Sequence, residues 1–130
     1  MTIQLDHLMV PSRDRVKSAR LLAELLGVPW SEEGVGPFAP VYVSDSLTLD
    51  FDEWAEPVPR IHLCFRVTPP EFDAILGRLK AAGIAYRSSV HAPVDHAVAT
   101  WQGGRLVYWN EPDGHQWEML TVSYAREPKK

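Results

Sequence analysis

The sequence predicts an α+β fold in which one βαβββ unit is used twice within a single domain. Three observations carry this. A helix pattern follows a strand pattern in each half of the chain. The two halves match position by position at a spacing of about 55 residues. A length of 130 residues suffices for one substantial core but not for two ordinary independent domains. A repeat of this size occurring only twice is too short a series for a solenoid, and so describes pseudo-symmetric halves.

In the first half, Ile3 to Val10 reads as a strand stopped by Pro11, which cannot donate to a ladder. Ser12 is the expected helix cap. Val16, Ala19, Leu22, Ala23 and Leu26 then fall at three- and four-residue spacing, one stripe of a helix that ends at Gly27. Val28 to Trp30, Pro40 to Ser44 and Leu47 to Phe51 are short strand-like runs separated by turn-rich segments.

The second half follows the Pro-rich segment EWAEPVPR, which places module one at about 1–56 and module two at about 57–124, with a short C-terminal tail. Ile61 to Val67 is strongly strand-like. Thr68 with Glu71 three residues on forms a capping box, and Pro69 takes the tolerated first helical position. Phe72, Ile75, Leu76 and Leu79 give the buried stripe, and Gly83 the stop. Ile84 to Tyr86, Ala97 to Trp101, Arg105 to Asn110 and Gln116 to Val122 complete the strands. The halves differ mainly by SSVHAPVDHAVAT, an insertion expected to form a loop or rim over whatever the halves enclose.

Composition narrows the function. Hydrophobic residues make up 45% and charged residues 23%, which is globular rather than disordered or fibrous. The formal net charge of −4 lacks the basic footprint of phosphate-backbone binding, so no nucleic-acid partner is expected. One cysteine, Cys64, cannot form an internal disulfide and fits a reducing cytoplasm. No apolar run approaches the roughly 20 residues that span a bilayer, and the N-terminus lacks a signal-peptide pattern, so the expectation is a soluble, unprocessed, cytoplasmic chain with no membrane partner. Gly-rich phosphate loops, HExxH helices and nucleophile elbows are all missing.

Strand alternation identifies a possible metal site. Leu8 and Val10 face the first helix and leave His7 on the other side. Leu63, Phe65 and Val67 do the same for the fifth strand, leaving His62, Cys64 and Arg66 opposite. In the last strand Trp117 and Met119 form one set, and Glu118 and Leu120 the other. His7, His62 and Glu118 then share one concave face. Two imidazoles and a carboxylate suit a first-row divalent ion, with coordination positions left for substrate or water.

The segments LDHLMV, IHLCFRV and YWNEPDGHQWEML resemble the three ligand-bearing strands of the glyoxalase, bleomycin-resistance and extradiol-dioxygenase superfamily, also called the vicinal oxygen chelate fold. The resemblance covers nearly the whole chain. It implies paired βαβββ modules whose curled mixed sheet encloses a cavity, and metal ligands at His7, His62 and Glu118, with Glu118 also able to move a proton. The ion it implies is one divalent cation, with Fe, Mn, Ni and Zn all compatible. Asp50 matches Glu118 in the first module, near the position of a fourth ligand in glyoxalase I enzymes; an acid that is exposed, or that hydrogen-bonds a ligating side chain, is the simpler reading of so short a side chain.

Tyr108 lies where fosfomycin-resistance relatives carry a substrate-contacting tyrosine, with cross-strand packing as the alternative. Arg105 is a candidate clamp for an anionic substrate, against a solvated surface role, and Arg66 shares the His62 face. His115 falls on the face opposite Glu118 and reads as a turn residue. His91 and His96 flank the insertion and would act only if that loop closes. Cys64 reads as an inert buried thiol. Trp54, Trp101, Trp109 and Trp117 divide between pocket and core.

The resemblance implies a metal-dependent enzyme acting on a small oxygen-bearing substrate through Lewis-acid catalysis, of isomerase, lyase or thiol-transferase type. A small dioxygenase and a drug- or metabolite-sequestering protein of the bleomycin-resistance type are the alternatives. The partner expected is a small molecule, and the family implies a homodimer, sometimes with exchanged modules.

Overall fold

The structure is a computed structural model that describes residues 2–126. The chain divides into two compact units, Met1–Arg60 and Ile61–Lys130. Part of the expected C-terminal tail, residues 127–130, lies outside the described residues. The α+β class and the repeated strand-helix-strand order hold. The strands form two sheets, one of three strands and one of five, each with mixed parallel and antiparallel pairing as expected. Pro57 and Pro59, in the segment between the two sheets, have no N–H to donate to a ladder.

The first unit runs β1 (His7–Ser12), α1 (Arg15–Leu26), β2 (Ala39–Tyr42) and β3 (Thr48–Glu53). β1 pairs with β3 in parallel, and β2 pairs with β3 antiparallel. The first strand starts later than the sequence pattern suggests and continues through Pro11. As an edge strand, β1 tolerates a residue without a donor. Ser12 therefore stays in the strand, its hydroxyl donating to the Asp52 carbonyl at 2.8 Å. The helix cap is Asp14, whose carboxylate accepts from the Lys17 N–H at 3.1 Å. Ala19, Leu22, Ala23 and Leu25 are the buried side of α1. Gly27 closes the helix at φ 72°, a left-handed conformation that favours glycine. The expected strand at residues 28–30 shrinks to a bridge between Trp30 and Val41, because Pro29 lends only its carbonyl, to Tyr42 N–H at 2.9 Å.

The second unit runs β4 (His62–Arg66), α2 (Pro69–Ala81), β5 (Tyr86–Arg87), β6 (Ala99–Trp101), β7 (Gly104–Asn110) and β8 (Gln116–Leu120). Its sheet order is β4-β8-β7-β5, with β6 also on β7. The capping box is present in full: Thr68 Oγ1 accepts from Glu71 N–H, and Glu71 accepts from Thr68 N–H. Phe72, Ile75 and Leu79 are the buried side chains of α2. Val107, Trp109, Trp117 and Met119 form one fully covered sheet face. On the other face Leu106, Tyr108 and Leu120 cluster, with Val90 and Ala99 packed against them.

The two sheets repeat one arrangement. In each, the first strand of the unit lies parallel to its last. Met9 stands opposite Asp50 two residues after His7, as Cys64 stands opposite Glu118 two residues after His62. Neither helix among the described residues is long and apolar enough to cross a membrane.

Candidate metal and substrate site

The most developed polar cluster surrounds Glu118. Parallel pairing of β4 with β8 sets Cys64 beside it, and antiparallel pairing of β7 with β8 sets Tyr108 opposite it. Glu118 has no solvent exposure, so its carboxylate depends on protein donors. Tyr124 O–H reaches both oxygens, at 2.7 and 2.6 Å. The Cys64 thiol also bonds this carboxylate. Tyr108 O–H lies 3.4 Å from the Tyr124 oxygen, and its ring stacks on His62 with centroids 6.2 Å apart.

His62 completes the cluster. Its Nδ1 lies 3.1 Å from the Gln116 carbonyl, which can only accept, so this nitrogen carries the proton. Nε2 then turns toward Glu118 Oε1 at 3.1 Å. In the neutral ring two lone pairs face each other there, and a cation between them resolves the conflict. His62 Nε2 and Glu118 Oε1 are the atoms that would hold a divalent ion here, and nitrogen with carboxylate oxygen is a donor set such ions accept.

In the first unit, His7 Nδ1 is 2.8 Å from Asp6 Oδ2. The hydrogen bond to Asp6 raises the pKa of His7, with the charges of Asp6 and Asp50 acting in the same direction. Both histidines thus have Nδ1 against an oxygen, as metal-ligating imidazoles commonly do, while Nε2 of His62 faces Glu118. Asp50 lies on the His7 face of its sheet, opposite Met9. Among the described residues no three His, Cys, Asp or Glu side chains converge as a metal site. Within the second unit, His62 and Glu118 form a histidine and carboxylate pair.

Other expected residues fall elsewhere. Arg105 points to the α2 side of its sheet, 2.8 Å from Asp73 Oδ1 and with its guanidinium carbon 4.4 Å from the Phe72 ring centre. It is three residues from Tyr108 in the same strand, and alternation sends it away from Glu118. His115 lies between the turn at 112–113 and β8 and is fully buried: Nδ1 accepts from Ile61 N–H at 3.0 Å and the ring packs 5.4 Å from Trp117. His96 packs its ring on Tyr86 at 5.0 Å, and His91 is exposed. The insertion is pinned on the Glu118 side of the sheet by Gln116 Nε2, which donates to the Val90 carbonyl at 3.0 Å. Cys64 is an exposed residue rather than a buried one, yet its thiol is pushed up to about 12 by burial of the group and by the neighbouring Glu118 charge.

Tyr124 is the participant that sequence reasoning misses. It follows the last strand, where no periodicity assigns a face. Its pKa is raised strongly, first by burial and then by the hydrogen bond to Glu118, so the hydroxyl stays a donor.

No protein-family model and no curated protein matches the chain. Solved structures do. It is similar to oxidase ChaP-H1 at 38% identity and TM-score 0.89, over 96% of this chain and 100% of that one. Its similarity to oxidase ChaP-H2 is 34% with TM-score 0.91, over 98% and 100%. Fosfomycin resistance protein FosX from Mesorhizobium loti shares the fold at 17% identity and TM-score 0.69, over 95% and 96%. The fold, the duplicated register and full-length likeness above 30% identity agree, and the chain belongs to the vicinal oxygen chelate superfamily.

Proposed function

We propose that the protein is a metal-dependent enzyme that acts on a small oxygen-bearing substrate, with one divalent ion bound at His62 and Glu118 and with His7 as the further ligand that the family resemblance implies. The observation that carries this reading is the 3.1 Å approach of His62 Nε2 to Glu118 Oε1 with Nδ1 already engaged. A proton or a metal ion must mediate that contact. An oxygen-using oxidation is favoured over isomerase, lyase or thiol-transfer chemistry because the relatives above 30% identity, ChaP-H1 and ChaP-H2, are named oxidases.

When bound, the ion supplies Lewis-acid polarisation of substrate oxygens. The protein's own groups do the remaining work. Tyr124 fixes the Glu118 carboxylate, Gln116 fixes the His62 ring, and the Tyr108 ring walls the same face. Glu118 is the candidate base on this face, with both its oxygens held by Tyr124. The protein works as a homodimer in this proposal.

The test is metal analysis of full-length protein purified without chelator and loaded with Fe, Mn, Ni or Zn in turn. About one ion per chain is expected, with loss of binding in His7→Ala, His62→Ala and Glu118→Ala. Failure to bind any of the four ions, with all three variants as stable as the parent, would overturn the proposal.

A further inference from the structure

The second unit contains a cavity of about 160 Å³ lined by Cys64, Arg66, Leu120, Ser123, Tyr124 and Ala125. It shares Cys64 and Tyr124 with the Glu118 cluster, and Arg66 lies on the same strand face as His62 and Cys64. The polar groups of its lining can be accounted for one at a time. Tyr124 O–H and the Cys64 thiol are both committed to Glu118. Ser123 Oγ accepts from Ala125 N–H at 3.1 Å, which leaves the hydroxyl hydrogen to donate. Arg66 has no hydrogen bond or ion pair among the described residues. Leu120 and Ala125 add apolar wall. The uncommitted polar side chains are therefore the Arg66 guanidinium, a permanent cation, and the Ser123 hydroxyl, which still has its hydrogen to donate.

We propose that this cavity is a subsite for an oxyanion carried on a flat apolar body, with Arg66 and Ser123 binding the anion beside the His62–Glu118 pair. The ligand class is an aromatic or enolic molecule bearing a carboxylate. Cavity size agrees, since about 150 Å³ admits a benzene ring. The apolar wall of Leu120 and Ala125 disfavours strongly hydrated inorganic ions, and the Arg66 charge disfavours cations. This inference rests on the enzyme reading only in that it describes what the substrate carries beyond its metal-binding oxygens; the subsite itself needs no ion.

Metal-free, full-length protein in excess EDTA is titrated with benzoate and with benzamide, its neutral counterpart, and amide shifts are followed by NMR. Benzoate is expected to shift the amides of Cys64, Ser123, Tyr124 and Ala125 saturably, and to bind at least about tenfold tighter than benzamide. Arg66→Met, an exposed substitution that keeps an apolar stem, is expected to weaken benzoate by about tenfold and leave benzamide unchanged. Equal binding of the two probes, shifts centred elsewhere, or unaltered benzoate affinity in a folded Arg66→Met protein each overturns the proposal. Because no metal is present, failure of the metal reading leaves this result intact, and the reverse also holds.

Discussion

Tyr124 places one hydroxyl within 2.7 and 2.6 Å of the two oxygens of Glu118, a carboxylate with no solvent exposure. A single donor thus spans both acceptors. Tyr124→Phe keeps the ring and removes that donor, leaving a buried charge short of a partner. Loss of about 1–3 kcal/mol is expected in urea unfolding of the metal-free protein. Metal affinity should also fall by roughly 10- to 100-fold, as for other groups that support a ligand. Unchanged midpoint and unchanged affinity together would remove Tyr124 from the site.

Cys64 should be unreactive. With its thiol near 12 rather than 9.0, roughly a thousandfold less thiolate exists at pH 8 than for an unperturbed thiol. Iodoacetamide labelling followed by mass spectrometry should run ~100-fold or more slower than for the urea-unfolded chain. The same shift makes a stability statement. Between pH 9 and 12 the folded chain keeps a proton that the unfolded chain releases. The contribution is whole below pH 9 and is lost as pH rises through the folded value, with Tyr124 acting in the same direction. Cys64→Ala should flatten the alkaline arm of the stability profile.

Gly104 opens β7 against the chain that leaves β8. A Cβ there would lie 2.6 Å from Val122 Cγ2 and 2.7 Å from Thr121 Oγ1, both on side chains branched close to the backbone. Gly104→Ala is expected to destabilise by about 1–3 kcal/mol through overpacking, read as a lowered thermal midpoint. A substitution tolerated without change would mean that residues 121–122 yield freely.

Arg105 belongs to the helix-facing side of the second sheet. Its bond to Asp73 is partly exposed, and Arg105→Ala should cost only about 0.5–1 kcal/mol from the ion pair and the contact with Phe72. Metal stoichiometry and benzoate binding are expected to stay as in the parent. A selective loss of benzoate affinity would move the anion subsite to Arg105.

Much of the fold was legible because its signals are local. The Thr68–Glu71 capping box, the Gly27 stop and the apolar alternation of β1, β4 and β8 are written in adjacent residues. Parity also put His62 and Glu118 on one side before their contact was seen. What escaped is set by partners far along the chain. Pro11 remains in a strand because β1 is an edge, and Pro29 reduces an expected strand to one bridge. Arg105 resembles a substrate clamp until Asp73 and Phe72 engage it. Tyr124 has no periodic context, and its role depends on a loop returning to Glu118.

The duplicated register has a consequence for how such a chain can diverge. Asp50 and Glu118 occupy the same slot, each opposite the residue two past a histidine. They differ by one methylene, a reach of about 1.5 Å. Any aspartate codon becomes a glutamate codon by a single nucleotide change, so a donor of full length at position 50 is one mutational step away. A scaffold of this kind can vary the inventory of groups it offers an ion without rebuilding a strand.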